Sequence, residues 1–413
     1  MEDVVEFCVG LDVHRDTVVA AVRRPGRRGK RDVETRTFLT DSSGLLALGD
    51  WLIDEHVTRA GMESTGVYWK PVFYLLEDRI PEVWLLNAAH LKNVPGRKTD
   101  VGDAAWIAQL VEHGLVRPSF VPPSPIRELR DFTRHRRTLI EERTRAIPRL
   151  EKVLQDADVK LSSVASTILT KSGRAILNAM LAGEADPVVL ADLSLGRMRS
   201  KIPQLQDALH GTFRVSHHGV LVKQMLAHID FLDEQIEQID AEIGARVMEY
   251  EPVLEQVQTI PGVGRKIAIS LVAEIGVDMS VFPTPAHLAS WAGICPGNNA
   301  SGGKARSGRT RHGSIALRTV LTEAAQSAAR TKGTYLAAHF HSIRSRRGTF
   351  KAIGATSHDI LVAYWYIVHD DVDYIDLGPD WAVRRQGPEQ QIARLVHQIE
   401  KLGREVTVTM PAA

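Results

Sequence analysis

The stretch Val5–Val22, VEFCVGLDVHRDTVVAAV, decides the fold of the first part of the chain. Its two runs of β-branched and small apolar residues, Val5–Val13 and Thr17–Val22, predict adjacent strands. A third strand is predicted over Arg31–Leu39, before a helix over about Ser43–Glu55. The chain therefore starts with a meander of strands.

Strands and helices alternate after this meander. The predicted elements are a strand over Arg59–Ser64, a helix over Gly66–Asp78, a strand over Glu82–Asn87 and a helix starting near Thr99. This order predicts an α/β sheet. We expect the domain to end near Gly114, because the stretch at 116–125 contains four prolines and cannot continue a helix.

The rest of the chain is predicted to be mainly helical. The helix predicted from Ile126 to Val159 is rich in arginine: Arg127, Arg130, Arg134, Arg136, Arg137, Arg143, Arg145 and Arg149. Apolar residues at Val222, Met225, Ile229, Leu232, Ile236, Ile239 and Ile243 alternate spacings of three and four, which is typical of a coiled-coil seam. Antiparallel packing against the Ile126 helix within one chain explains the spacing equally well.

Composition sets the class of protein. A chain of 413 residues with 44% hydrophobic content suggests two or three domains. The N-terminus does not have the features of a signal peptide, and no apolar run is long enough to span a bilayer. The two cysteines, Cys8 and Cys295, fall in different predicted domains, which fits a reducing compartment. We therefore expect a cytoplasmic protein.

The net charge of +1 conceals a strong segregation of charge. Between Lys304 and Lys351 the only acid is Glu323. The bases of this stretch are Lys304, Arg306, Arg309, Arg311, Arg318, Arg330, Lys332, Arg344, Arg346, Arg347 and Lys351. Such a stretch predicts contact with phosphate.

Four acids form the first chemical motif: Asp12, Glu63, Asp100 and Asp103. They lie at predicted strand ends or at a helix start, and Asp100 and Asp103 are three apart, so they share a helix face. Hard carboxylate oxygens suit magnesium or manganese, and two such ions can assist displacement at phosphorus. Alternatively, a chain with 50 acids offers chance quartets, and Asp100 merely caps a helix.

The second motif is the sequence QTIPGVGRK, residues 258–266, between two apolar helices. It resembles a helix-hairpin-helix, in which Gly262 and Gly264 allow a tight turn that aims backbone N–H groups at a phosphate. Arg265 and Lys266 are further candidate DNA contacts. The alternative is an ordinary turn between helices.

The third motif surrounds Ser301, in the sequence CPGNNASGGKARSGRTR at 295–311. A serine followed by two glycines is accessible, and the candidate DNA contacts Lys304, Arg306, Arg309 and Arg311 would favour a phosphate and a deprotonated hydroxyl. Ser301 is therefore a candidate nucleophile. A flexible loop that grips phosphate would have the same composition.

These motifs in this order, over about residues 5–370, resemble the IS-one-ten (IS110) family of insertion-sequence transposases, DEDD-type recombinases guided by a bridge RNA. The resemblance implies an α/β RNase H/RuvC-like N-terminal domain, with Asp12, Glu63, Asp100 and Asp103 as ligands of Mg²⁺ or Mn²⁺. It implies that Ser301 is the catalytic serine. The sequence departs from the family at Ala300 and in its longer helical middle and tail.

The resemblance also implies a mechanism and partners. Ser301 would attack a DNA phosphate, and a covalent phosphoserine link would hold the strand until exchange, in a homodimer or homotetramer. The partners implied are double-stranded DNA and a structured noncoding guide RNA. The expected segments are a nuclease domain (1–115), an Arg-rich connector with coiled coil (116–250), a mainly α transposase domain (251–370) and a helical tail (371–413).

Two other functions remain open from the sequence. A Holliday-junction resolvase would use the acids to hydrolyse DNA with water, and Ser301 would only hold phosphate. A DNA-binding architectural protein would use the hairpin and the basic residues, and the acids would be ordinary surface groups.

Overall fold

The computed structural model describes residues 5–27, 30–63, 66–87, 102–295, 299–301, 304–307, 313–381 and 388–409. The chain forms two compact units, Met1–Val121 and Pro122–Ala413. The finer division into four segments stays a prediction.

The first unit contains a mixed sheet with helices on both faces. Its elements are β1 (Cys8–Val13), β2 (Thr17–Pro25), β3 (Arg31–Leu39), α1 (Ser42–Asp54), β4 (Arg59–Glu63), α2 (Trp69–Leu76), β5 (Glu82–Leu86), α3 (Asp103–Glu112) and β6 (Pro118–Ser119). The six strands are ordered β3-β2-β1-β4-β5-β6. β2 pairs antiparallel with both β1 and β3, whereas β4 pairs parallel with both β1 and β5. The predicted α/β class is confirmed.

Strand β1 is central because both of its faces are covered. Val9 and Leu11 belong to one apolar core, together with side chains of α1 and α2 such as Leu52 and Leu76. Cys8 belongs to a second core with Ile107 and other residues of α3. Alternate residues of a strand point to opposite faces, so the run of apolar residues in β1 reflects burial on both sides.

The second unit is mainly helical. Its helices are α4 (Ser124–Asp156), α5 (Leu161–Val164), α6 (Lys171–Leu181), α7 (Pro187–Asp192), α8 (Ile202–Ala208), α9 (Val220–Arg246), α10 (Glu251–Val257), α11 (Arg265–Ile275), α12 (Pro285–Trp291), α13 (Ile315–Ala328), α14 (Tyr335–Arg347), α15 (Thr349–Asp370) and α16 (Pro388–Glu400). Two short strands, β7 (Asn299–Ser301) and β8 (Lys304–Ser307), form an antiparallel ribbon.

Helices α4 and α9 pack against each other in antiparallel orientation. Arg136 pairs with Asp240, and Arg143, further along α4, pairs with Asp233, which is earlier in α9. The predicted seam faces α4 with residues such as Ile229 buried. The structure therefore shows the intrachain alternative for this apolar spacing.

Helix α15 organises the core near the C-terminal end. The Tyr364 hydroxyl donates to the Gly276 carbonyl (2.8 Å), and Trp365 Nε1 donates to the Phe282 carbonyl (2.8 Å). Burial raises the pKa of Tyr364, so it stays a neutral donor. Within the described residues, no helix combines the length and apolarity needed to cross a membrane.

Candidate active site and nucleic-acid contacts

Two predicted acids lie side by side at the ends of parallel strands. The register of β1 and β4 pairs Leu11 with Met62. Asp12 and Glu63 follow these residues, so they occupy matching positions at the carboxyl ends of neighbouring strands. Side chains at matching positions of parallel neighbours point to the same face. The carboxyl end of such strands is a common place for a binding site.

Two glycines show which face the acids share. A Cβ added to Gly10, two residues before Asp12, would lie 2.0 Å from the Ala104 carbonyl oxygen of α3. A Cβ added to Gly61, two residues before Glu63, would lie 2.4 Å from a methyl group of Val111, also in α3. Both acids therefore point to the side of the sheet on which α3 lies.

Helix α3 brings a third acid to this place. It packs across Gly10 through Ala104, and its other end is near Val5, whose N–H donates to the Glu112 carbonyl (3.3 Å). The helix therefore runs antiparallel to β1, and its first residue, Asp103, lies towards the Asp12 end. The positive end of the helix dipole favours a carboxylate at this position.

The structure thus collects Asp12, Glu63 and Asp103 from three separate elements at one end of one face. Asp100 lies outside the described residues. Carboxylates are the hard oxygen donors that Mg²⁺ or Mn²⁺ prefers, so the donor type fits the predicted metal, whereas the carboxylate oxygens of these three residues do not all lie within 4.8 Å of one another.

Two nearby residues were missed by the sequence analysis. His14 Nε2 lies 3.2 Å from Asp12 Oδ2, and the His14 side chain is mostly exposed. Gly10 allows the close approach of α3, which any side chain would block. A glycine inside a strand can signal such an approach, so Gly10 was detectable in the sequence. His14 carried no signal beyond its position two residues after Asp12.

A second group with metal-ligand chemistry lies elsewhere, in the helical unit. Ligand atoms of Asp156, His217 and His218 lie within 4.8 Å of one another. His218 Nδ1 accepts the backbone N–H of Arg214 (3.1 Å), so its proton is on Nε2, which faces Asp156 Oδ2 at 3.3 Å. A metal at Nε2 would require the proton on Nδ1, where it would oppose the Arg214 N–H. We interpret this group as a structural link.

The predicted hairpin connects α10 and α11. Gly262 has a φ of +88°, and a Cβ there would lie 2.3 Å from the Ala328 nitrogen, so packing requires glycine. Gly264 precedes α11 in extended backbone without a side-chain cap, and a Cβ there would meet nothing within 4 Å. The turn therefore presents one packed and one open glycine.

The two bases of this hairpin have different surroundings. Arg265 forms an ion pair with Glu251, with Nη2 2.9 Å from Oε2, which lowers the pKa of Glu251. Lys266 is exposed, and its charge contributes to lowering the pKa of Asp240, for which Arg136 is the main cause. Arg265 is thus partly neutralised within the chain.

Ser301 is the last residue of β7, where it lies opposite Lys304 in the register of the β7–β8 ribbon. The ribbon also contains Arg306, in β8. The side chains of these three residues lie outside the described part of the structure, as do Arg309 and Arg311 altogether.

Several arginines of α4 are used inside the helical unit. Arg134 makes two hydrogen bonds to the buried Glu274, at 2.7 and 2.8 Å. Arg130 donates to the carbonyls of Ala273 and Glu274 at 3.1 and 2.6 Å. Together with the α4–α9 ion pairs, these contacts give this helix a structural role.

Two models of transposase families match this chain. Residues 9–158 match a transposase model of DEDD type named for IS110, and residues 254–341 match the transposase IS116/IS110/IS902 family. These two matches include Asp12, Glu63, Asp103 and the hairpin, and together they cover more than half of the chain. The chain belongs to the IS110 family of transposases.

Two relatives of this IS110-family protein are similar to it in sequence. It is 35% identical over 83 residues to an uncharacterized 43.6 kDa protein of insertion element IS110 from Streptomyces coelicolor, which is 20% of each chain. It is 24% identical over 291 residues to the transposase for insertion sequence element IS1111A from Coxiella burnetii, covering 69% of this chain and 70% of the relative. The first alignment thus spans only a fifth of that relative's length.

Proposed function

We propose that this IS110-family protein is a DNA transposase that excises and inserts an insertion sequence by metal-assisted strand cleavage and exchange. The observation that carries the proposal is the convergence of Asp12, Glu63 and Asp103 on the α3 face of the sheet. A RuvC-like nuclease function requires such a group of carboxylates, and the family membership supports DNA as the substrate.

The carboxylates of Asp12, Glu63 and Asp103, with Asp100 as a further candidate, would hold Mg²⁺ or Mn²⁺. The bound ion would act as a Lewis acid that stabilises negative charge on phosphate oxygens. The open end of the sheet leaves the Asp12 side chain about one-quarter exposed, so a phosphate can approach it.

Ser301 is the proposed nucleophile. Its Oγ forms a bond to phosphorus as its proton leaves, and the bond between phosphorus and one deoxyribose oxygen breaks. That oxygen departs as a hydroxyl, and the other strand end stays attached as a phosphoserine. A second deoxyribose hydroxyl then attacks phosphorus and restores the serine. Lys304, Arg306, Arg309 and Arg311 would hold the phosphates beside it.

Double-stranded DNA is the proposed substrate of the hairpin, which would contact phosphate through the amides near Gly264 and through Lys266. A structured noncoding guide RNA and assembly into a homodimer or homotetramer complete the proposal. These partners follow from the family resemblance.

The test is a search for protein covalently attached to DNA. The full-length protein is incubated with Mg²⁺, its flanking noncoding RNA and DNA that carries the element's junction, then resolved on a denaturing gel. We expect an adduct with the wild type, none with Ser301→Ala, and strongly reduced amounts with Asp12→Asn or Asp103→Asn. Asp16→Asn is the matched control, because Asp16 is highly exposed in the β1–β2 turn.

Cleavage without an adduct, equal in wild type and Ser301→Ala, would replace the proposal with a hydrolytic resolvase. Full activity of Asp12→Asn and Asp103→Asn would exclude both enzymes and favour an architectural DNA-binding protein.

A further inference from the structure

The turn between α14 and α15, residues Arg344–Lys351, carries cations without acidic partners. Arg344, Arg346, Arg347 and Lys351 are exposed, and none of them forms an ion pair within the described residues. Arg346 Nε donates to the Ser342 carbonyl at 3.1 Å, a neutral acceptor. Gly348, with a φ of +86°, separates the two helices.

The sequence around this turn keeps acids away from it. Between Glu323 and Asp359 the chain contains no aspartate or glutamate. A group of cations without local counter-charges attracts polyanions, and phosphate backbones are the common ones.

An aromatic side chain stands among these cations. Phe350, in the first turn of α15, is 92% exposed, more than any other large hydrophobic residue described. Burial of a phenylalanine ring stabilises a folded protein, so an exposed ring at this position gives up stability in the free protein. Its sequence neighbours Thr349 and Lys351 are polar and exposed.

A cationic surface with an exposed ring has the two parts of a single-strand binding site. The cations contact phosphates, and the ring stacks on a base that is free of its pairing partner. A duplex offers the phosphates but keeps its bases stacked inside, so the ring favours unpaired nucleic acid.

We propose that the Arg344–Lys351 turn binds single-stranded DNA, with phosphates on Arg346, Arg347 and Lys351 and one base stacked on Phe350. This inference rests on the proposed function, because strand cleavage and exchange produce unpaired DNA. It adds a DNA contact on a segment that is separate in sequence from Ser301 and from the acids Asp12, Glu63 and Asp103.

The experiment uses the full chain in the presence of EDTA, so that no cleavage occurs. A short single-stranded DNA containing 2-aminopurine reports both binding and stacking, because stacking quenches its fluorescence. We expect Phe350→Ala to weaken binding about tenfold and to remove the quenching, whereas Phe350→Tyr keeps both. Phe231→Ala is the matched control: Phe231 is 54% exposed on α9, beside the acids Asp230 and Asp233.

Equal binding and quenching by the wild type and Phe350→Ala would overturn the inference, as would an equal loss in Phe231→Ala. Tighter binding of RNA with the same sequence, dependent on Phe350, would overturn the assignment to DNA. The proposed function is tested separately by the covalent adduct. An adduct with unchanged Phe350→Ala binding rejects only the inference, and Phe350-dependent binding without an adduct rejects only serine chemistry.

Discussion

Three arginines of helix α4 and the arginines of the α14–α15 turn have different surroundings. In α4, Arg134 faces a buried carboxylate, and Arg136 and Arg143 pair with acids of α9. In the turn, Arg346 and Arg347 have no acidic partner within the described residues. Both regions are equally conspicuous in the sequence. The comparison shows that a run of arginines does not by itself indicate a polyanion surface, because acids of the same chain can pair with them.

The largest loss of folding stability is expected from Arg134→Ala. It leaves Glu274, which is 2% exposed, without its two strongest hydrogen bonds, and breaking a buried pair from one side costs about 3 kcal/mol. The free energy of unfolding in urea measures this loss. Arg130 and Ser314 still lie near Glu274 and limit the cost.

The double variant Arg134→Met with Glu274→Leu is the control. Apolar replacement of both partners should recover most of the loss, because the buried carboxylate is removed and Arg130 still donates to two backbone carbonyls. A loss below about 0.5 kcal/mol for Arg134→Ala would show that this arginine is not structural, which would remove the distinction between the two regions.

The next largest effect is expected from substitutions in the α14–α15 turn, which should weaken binding of single-stranded DNA and leave folding stability unchanged. The double variant Arg346→Ala with Arg347→Ala removes two candidate phosphate contacts. A plot of the logarithm of the affinity for single-stranded DNA against the logarithm of the salt concentration should therefore become less steep by about 1.4. Unfolding should change by less than about 0.5 kcal/mol, as for exposed side chains. An unchanged salt slope would contradict the proposed contact.

Most of the fold was predictable because its signals are local. The strands β1–β3 follow from β-branched runs, and β4 and β5 from short apolar runs between helices. The partner of α9 was not predictable, because the same apolar spacing serves a coiled coil between chains and a helix pair within one. The α4–α9 ion pairs that accompany the intrachain packing depend on which residues face each other.

The site was predictable in part. Asp12 and Glu63 lie at the carboxyl ends of their strands, so their proximity needs only the knowledge that β1 and β4 are parallel neighbours. The position of Asp103 depends on α3 crossing Gly10, a contact between residues far apart in sequence. Ser301 was identified from its glycine and cation neighbours, but its place at the end of a strand depends on pairing with β8.

A smaller effect is expected from the contact that joins the helices beside the turn. His339 Nδ1 on α14 lies 2.5 Å from Asp359 Oδ2 on α15, and this carboxylate raises the pKa of His339. A raised pKa means that protonation stabilises the folded state. The gain is complete below the unfolded pKa, about 6.5, and is lost as the pH rises through the higher folded value.

The wild type should therefore lose more folding stability than His339→Gln as the pH rises from about 6 to about 9, because the variant cannot titrate there. Thermal unfolding of both proteins at the two pH values measures the difference. The same pH dependence in both would assign it to other groups. It would also show that the turn does not rely on this pair for its support.

The smallest loss of folding stability is expected from Arg143→Ala, although Arg143 lies on the same helix as Arg134. Its Nη2 lies 3.2 Å from Asp233 Oδ2, but the side chains are 31% and 42% exposed, so water replaces the lost contact. Such pairs contribute about 0.5 kcal/mol, and salt weakens them. Urea unfolding of Arg143→Ala beside Arg134→Ala thus compares two arginines of one helix that differ in the burial of their acids. Equal losses would mean that arginine pairing, and not burial of the acid, sets the cost, and that α4 is stabilised as a charge network.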